Sequence, residues 1–575
     1  MASVLWKSDT YCLLKVPLTG DNLQLFNQFP AYWAFEGRDV RFKPVGANIR
    51  FILEHWPDAE WTGGTERFLE EWQAALGSQV EIKARKRDEG ILHQTDNYQY
   101  GTHPYDHQRR AFLISRPEEY FGLFMDPGTG KTKVTIDTGA WLYEQGLIDC
   151  ILVLAPNGVH WNWVDEEIPR HLPERIKCNQ YADSGTRSQR QRRQFDRTLS
   201  YKGLAIFSFH IEGLSGQVAC NMVDEVLAKR RCLWVIDEST RIKTPSAKRT
   251  EWITKRYRQA PYRRILTGTP ITQGVEDLYA QFLFLNPMIL GFKTYTSFKR
   301  RYCQERSFGD NSFTKIVGYL NLEELTDKVD GCTFRVRKAD CLDLPPKVYQ
   351  RRQFELSPKA RKLYDQLAEE FVAELNGAVV AENLAIVRMM RLQQIASGWW
   401  PDDNEDGKLI PIESTFPRLQ ELQRVLDDVG NDHKYIIWAR FRADLELLQS
   451  HLGTSAVSYH GGVPEAQRQR NLEAFRKDPT KRYFVANPQN AGIGLTINES
   501  DVQIWYCNQF NLELRLQGED RNHRIGQKAN SVLLIDLEAR RSQDQKIITA
   551  LRNKKRIADI VTRDPKGWFL EYEGE

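Results

Sequence analysis

Residues 124–132 read Phe124-Met125-Asp126-Pro127-Gly128-Thr129-Gly130-Lys131-Thr132. A short apolar run, 120–124, precedes this stretch and a helical pattern, 134–142, follows it, so the order is strand, loop, helix. Gly128 and Gly130 let the loop turn its backbone N–H groups inward on an anion, and the helix behind adds the positive end of its dipole. In such a loop Gly128, Thr129 and Gly130 cradle phosphate, Lys131 sits on the β- and γ-phosphates of a nucleotide, and the Thr132 hydroxyl holds Mg²⁺. Met125 stands where the first glycine of G-x-x-x-x-G-K-[ST] is usual. A plain turn is therefore the alternative when the loop is taken alone.

Working outward, apolar runs at 151–155, 203–207 and 232–236 with helix-like intervals have the period of a doubly wound parallel sheet. The third run ends in Asp237-Glu238-Ser239-Thr240. An acidic pair at the carboxyl end of a strand, with G-K-T upstream, is placed for Asp237 to face Mg²⁺ and Glu238 to face the attacking water. A helix N-terminus is the plainer alternative. The run 262–266 leads into Thr267-Gly268-Thr269-Pro270, where the Thr267 and Thr269 hydroxyls are candidates to sense the γ-phosphate, against an ordinary hydroxyl turn. Upstream, Gln108 carries an amide that matches the donor and acceptor edges of adenine.

The second half repeats the pattern. Strand-like runs at 435–438, 484–485, 502–507 and 532–535 alternate with helical stretches and predict a second parallel sheet. Between the halves lie segments rich in helix formers, 360–375 and 382–395. Near the end, Gln517-Gly518-Glu519-Asp520-Arg521-Asn522-His523-Arg524-Ile525-Gly526-Gln527 sets two arginines three apart, which on a helix puts both on one face. Their fixed charge and planar fork suit a transferring phosphoryl group.

The order Gln108, G-T-G-K-T, D-E-S-T, L-T-G-T-P resembles the first motor lobe of superfamily 2 helicase-like ATPases. L-T-G-T-P with residues 271–287, the block 235–248, the block 335–347 (R-V-R-K-A-D-C-L-D-L-P-P-K) and D-R-N-H-R-I-G-Q at 520–527 resemble the Snf2 branch, and details such as G-L-T at 494–496 look most like its annealing-helicase subgroup. The resemblance covers about residues 104–560. It implies an α/β fold of two RecA-like lobes with parallel sheets and helical insertions. Residues 1–95 form a small N-terminal α+β accessory domain, 96–320 the first, ATP-binding lobe, 321–427 a helical protrusion and bridge, and 428–575 the second lobe. The implied cofactors are ATP and Mg²⁺, and the implied partner is double-stranded or branched DNA. Glu238, Arg521, Arg524 and Lys131 would be catalytic. Gln108, the 128–132 loop and Asp237 would bind nucleotide, with Thr132 and Asp237 on the metal. Thr267, Thr269, Gly494, Thr496 and Gln517 would couple nucleotide to DNA, and Y-H-G-G at 459–462 with Arg468, Arg470 and Phe475 is similar to a nucleic-acid-contacting block. Thr240 stands where the family usually has His, which puts the coupling attributed to that His in doubt. An ATP-driven translocase on double-stranded DNA, in repair, recombination or fork remodelling, is the expected function. The alternatives are a strand-separating helicase or restriction-type motor, and a nucleotide-gated DNA-binding protein without turnover.

Composition sets wider bounds. With 575 residues, 41% hydrophobic and 27% charged, the chain has the profile of a globular protein and length for three or four compact units at roughly 150 residues each. Net charge is +4, so the sum alone names no polyanion partner. Nine cysteines without a C-x-x-C pair fit neither a structural metal site nor a disulfide framework. No run is long enough to span a bilayer, and a cytoplasmic protein of a bacterium or virus is expected. Near the N-terminus, Trp33, Phe35 and Phe42 interleave with Arg38, Arg41 and Lys43, a composition that suits base stacking or, equally, an ordinary core. The charged stretch 81–101 reads as a linker.

Overall fold

The computed structural model describes residues 2–8, 11–17, 19–26, 28, 33–42, 46–62, 65–93, 97–157, 159–185, 188–292, 294–308, 313–377, 382–402, 408–491, 495, 497–524 and 526–561. By its internal contacts the chain divides into two compact units, Met1–Arg337 with Ile557–Glu575, and Lys338–Arg556.

The first unit opens with a five-stranded sheet of β1 (Ser3–Ser8), β2 (Tyr11–Lys15), β3 (Trp33–Glu36), β4 (Asp39–Phe42) and β5 (Glu60–Thr62), in the order β3-β4-β2-β1-β5. Along β4, Val40 and Phe42 are buried while Arg41 is only partly covered. The interleaving of aromatic and basic residues is here the period-2 alternation of a half-buried strand. Phe42 lies in a core with Phe26, Phe51 and Val4, and Trp33 packs against it. The Phe42 ring is fully buried and Trp33 partly covered; Phe35 is half exposed, and Lys43 lies outside the described residues.

The expected linker is largely helical. The helix Thr65–Arg87 runs into it and buries Ala75, Gln79 and Ile82, a spacing of four and three that defines one face. Ser78 Oγ donates to Glu118 Oε2 at 2.6 Å and Lys86 Nζ pairs with Asp330 Oδ1 at 2.8 Å. Of the charges in the expected linker, Lys83, Arg85 and Lys86 of this helix make ion pairs with Asp327, Glu118 and Asp330.

The main sheet of the unit is parallel and seven-stranded: β6 (Tyr120–Met125), β7 (Cys150–Ala155), β8 (Cys178–Ala182), β9 (Leu204–His210), β10 (Cys232–Asp237), β11 (Tyr262–Thr267) and, beyond a hairpin of β12 (Cys303–Phe308) and β13 (Phe313–Tyr319), β14 (Thr333–Val336). Its order is β14-β6-β11-β10-β7-β9-β8. Strands β6, β7 and β10 are buried along their whole length, as strands covered on both faces must be. The helix Lys131–Glu144 presses on this sheet: a Cβ at Gly139 would lie 2.5 Å from Ile151 Cδ1.

The second unit holds a six-stranded parallel sheet of β15 (Lys347–Phe354), β18 (Tyr435–Trp438), β19 (Ala456–Tyr459), β20 (Tyr483–Ala486), β21 (Val502–Trp505) and β22 (Val532–Ala539), after a small pair β16 (Trp399–Pro401) and β17 (Leu409–Pro411). The order is β15-β22-β21-β18-β20-β19. The helices Pro358–Gly377 and Glu382–Ala396 fall where helix formers are dense. The segment 321–427, expected as a helical bridge, also gives a strand to each sheet, since β14 pairs with β6 and β15 with β22.

Candidate nucleotide site

Strand β6 delivers the chain to a turn at 126–130 in which Gly128 has φ 85° and Gly130 φ 95°, the left-handed region that glycine enters without strain. Thr129 closes the turn: its N–H donates to Asp126 O at 3.1 Å and its hydroxyl to the same oxygen at 2.8 Å. Gly130 allows a close approach as well, because a Cβ there would fall 2.2 Å from Gln108 Nε2. Gln108 Nε2 donates to Thr129 O at 3.1 Å while its Oε1 accepts from Tyr105 N at 3.1 Å, and His107 Nε2 lies 2.8 Å from Thr129 O. Gln108 thus braces the loop with one donor and one acceptor, and one N–H and one lone pair are left over.

The strand order puts β11 between β6 and β10, so three loops gather at one carboxyl edge of the sheet, where parallel sheets bind ligands. Lys131 Nζ reaches Glu238 Oε1 at 3.2 Å. Asp237, 4% exposed, accepts from Glu238 N at 3.0 Å and from Trp163 Nε1 at 2.9 Å. Burial pushes its carboxyl up to about 6, with Lys131 opposing and Glu238 adding to the rise. Glu238 adopts φ 49°, ψ 61°, an uncommon conformation for a residue with a long side chain. From β11, Thr267 Oγ1 accepts from Thr269 N at 3.0 Å. Gly268 stands against the loop, where a Cβ would meet Pro127 Cδ at 2.8 Å. Arg335 of β14 completes the rim: it donates to Gly268 O at 2.7 Å and pairs with Asp126 Oδ1 at 3.3 Å.

Below this edge runs a buried polar chain. Ser239 Oγ donates to Gln281 Oε1 at 2.6 Å, and Gln281 Nε2 donates to Pro270 O and Asp277 O, both at 2.8 Å. The Thr240 side chain is buried and its hydroxyl has no hydrogen-bond partner among the described residues.

In the second unit the arginines do not share a helix face. The helix Leu512–Glu519 ends before them, and residues 520–524 form a turn. Arg521, 2% exposed, donates from Nε to Gln517 O and from an Nη to Leu495 O, each at 2.8 Å, so Gln517 and Arg521 do meet. Burial pushes the Arg524 guanidinium down, with Asp520 opposing. An ionic cluster fixes the turn. Lys347 Nζ lies 3.1 Å from Glu519 Oε2 and 3.4 Å from Asp520 Oδ1, Lys338 Nζ lies 2.9 Å from Asp520 Oδ1, and Arg515 Nε lies 2.7 Å from Glu519 Oε1. Burial of Glu519 works against its charge, yet Lys347 and Arg515 hold its carboxyl down at about 2. Phe475 is core, Arg470 is exposed, and Arg468 lies over the Tyr459 ring. Gly494 and Thr496 lie outside the described residues.

Trp163, Arg335, Gln281, Lys338 and Lys347 are the residues that the motifs alone do not single out. Of these, only the R-V-R-K…P-P-K block, which carries Arg335, Lys338 and Lys347, leaves a signal in the sequence.

An SNF2-related domain matches residues 105–397, more than half of the chain, and a helicase conserved C-terminal domain matches residues 417–526. The chain belongs to the SNF2-related family. Its relatives include the ISWI chromatin-remodeling complex ATPase CHR11 of Arabidopsis thaliana, 26% identical over 431 residues that make up 71% of this chain and 38% of that protein. They also include the DNA annealing helicase and endonuclease ZRANB3 of Bos taurus, 26% identical over 465 residues, 78% of this chain and 39% of that one. The chain therefore spans less than two fifths of the length of these relatives. Among solved structures, the Sulfolobus solfataricus SWI2/SNF2 ATPase core in complex with dsDNA is 21% identical, over 82% of this chain and 96% of that chain, with a TM-score of 0.36. Among the described residues no helix is long and apolar enough to cross a membrane.

Proposed function

We propose that the protein is a DNA-dependent ATPase of Snf2 type that moves along double-stranded DNA. The observation that carries this is the convergence of Lys131 with the acidic pair, 3.2 Å from Nζ to Glu238 Oε1, at the mouth of a glycine loop in a chain of the SNF2-related family. The donor set suits Mg²⁺–ATP: the Thr132 hydroxyl and the Asp237 carboxylate are hard oxygen ligands, and Gly128 and Gly130 take the left-handed conformation that lets such a loop turn its N–H groups on an anion. Bound there, Mg²⁺ would neutralise charge on the phosphates. Lys131 exchanges its Glu238 partner for phosphate oxygens, and the freed Glu238 carboxylate orients the attacking water. Gln108 keeps one donor and one acceptor for adenine while bracing the loop.

Arg521 and Arg524 are assigned to the transferring phosphoryl group, since a fixed guanidinium is what that group requires. Thr267 and Thr269 respond to its loss, and Gly494, Thr496 and Gln517 report DNA. The translocase serves repair, recombination or fork remodelling, with residues 1–95 as an accessory domain that favours branched DNA. ATP hydrolysis measured with and without linear duplex tests the reading. Stimulation by duplex supports it; hydrolysis indifferent to DNA, or nucleotide binding without turnover, overturns it. Unwinding of a labelled strand would replace translocase by helicase.

A further inference from the structure

We propose that Ser239 and Gln281 are positioning residues that make the L-T-G-T-P turn follow the acidic pair, in the place where Thr240 makes no bond. The inference rests on the proposed ATPase function. Ser239 is bonded covalently to Glu238, and Pro270 to Thr269; between Ser239 and Pro270 stands a single side chain. Gln281 accepts from Ser239 Oγ at 2.6 Å and donates to Pro270 O at 2.8 Å, and both Ser239 and Gln281 are 0% exposed. Away from water such bonds are strong and costly to leave unmade, so a shift of Glu238 on release of Lys131 is passed to Pro270 rather than lost to solvent. The far side is equally fixed. Thr272 N, Thr272 Oγ1 and Gln273 N all donate to Asp277 Oδ2 at 2.7, 2.7 and 2.8 Å, and Asp277 O accepts the second N–H of Gln281. The turn 270–273 and the start of the helix Leu278–Leu285 therefore move together, and with them Gly268, which stands against Pro127 of the phosphate loop. Thr240, one residue from Ser239, offers no alternative route, because its buried hydroxyl has no partner among the described residues.

The test uses the full chain as wild type, Ser239→Ala, Ser239→Thr, Gln281→Leu and the double variant Ser239→Ala/Gln281→Leu. Three quantities are read: the ratio of ATP hydrolysis with and without duplex DNA, amide hydrogen exchange of residues 267–273 with and without ADP–beryllium fluoride and Mg²⁺, and the thermal midpoint. Loss of the bridge should cut the stimulation ratio about tenfold, within the usual range for coupled sites. It should also abolish the nucleotide-dependent change in exchange, with the double variant no worse than either single one and Ser239→Thr close to wild type. A merely structural role predicts a lowered midpoint with the ratio and the exchange response intact, which would overturn the inference. If Gln281→Leu fails to fold, Ser239→Ala, which removes one oxygen, gives the same readings. A wild type that binds nucleotide without stimulation by DNA would refute the proposed function, and the exchange response would still decide the bridge. A wild-type segment 267–273 blind to nucleotide overturns it.

Discussion

Replacing Lys347 by Met keeps the length and most of the apolar stem of the side chain but removes a cation that pairs with both Glu519 and Asp520, at 3.1 and 3.4 Å. Breaking a buried ion pair from one side costs about 3 to 5 kcal/mol. Glu519 keeps Arg515 and the Tyr349 hydroxyl, and Asp520 keeps Lys338, so the lower end of that range applies. The depression of the Glu519 carboxyl by the cations around it is of the same size: from the ordinary 4.5 down to about 2 corresponds to roughly 3 kcal/mol. The sign follows. A folded-state value below the unfolded one stabilises the protein above about pH 4.5, and that stability is lost as pH falls toward 2. Urea unfolding of wild type and Lys347→Met, followed by the fluorescence of the tryptophans, should therefore differ by about 3 kcal/mol at pH 7, with the gap shrinking below about pH 4.5 and closing only as pH falls through about 2. Because the same carboxylates precede the arginine turn, ATP turnover should fall about 100-fold, the effect of a misplacement near 1 Å. A variant that unfolds like wild type at pH 7, or a gap that widens on acidification, would refute this account of the cluster.

Lys131→Ala should abolish nucleotide binding, whereas Glu238→Gln should bind and not hydrolyse; fluorescent nucleotide titration beside a phosphate-release assay separates the two, and wild-type turnover in Glu238→Gln would remove its water-orienting role. Arg521→Ala or Arg524→Ala should lower hydrolysis by about 10³ to 10⁵ with nucleotide and DNA affinity retained, and unchanged turnover in both would end their assignment to the phosphoryl group. Gly518→Ala would put a Cβ 2.8 Å from Trp505 Cη2, against a ring stacked on Trp438 at 5.6 Å with Arg515 over it at 4.3 Å. Overpacking there should cost about 1 to 3 kcal/mol, visible as a lowered urea midpoint, and an unchanged midpoint would mean that the ring is free to yield.

What was legible in the sequence is what local chemistry encodes. The strands of both parallel sheets announce themselves as apolar runs because they are covered on two faces, and the phosphate loop and acidic pair stand out because few residue types can do their work. The aromatic and basic N-terminal stretch leaves two readings open in the sequence, because a half-buried strand alternates in the same way as a nucleic-acid surface; in the structure Val40 and Phe42 belong to the core. Only the charged end of the helix Thr65–Arg87, residues 81–87, reads as linker in the sequence. Strand β8, Cys-Asn-Gln-Tyr-Ala, sits at a sheet edge and is only partly buried, so it lacks the apolar signature. The spacing of Arg521 and Arg524 suggested a shared helix face, but the helix ends at Glu519, where the ionic cluster takes over. Gln281 and Trp163 act on partners 42 and 74 residues away, and no local pattern records a bond at that range.

The backbone of Glu238 carries a consequence of another kind. With φ at 49°, this position would suit asparagine or glycine better, by about 1 kcal/mol, yet neither could reach and orient a water as the proposed role of Glu238 requires. Stability and turnover therefore pull the site in opposite directions. On the proposed role, a library selected for heat resistance alone should drift at residue 238 toward sturdier proteins that no longer hydrolyse ATP, whereas selection for hydrolysis should hold the glutamate.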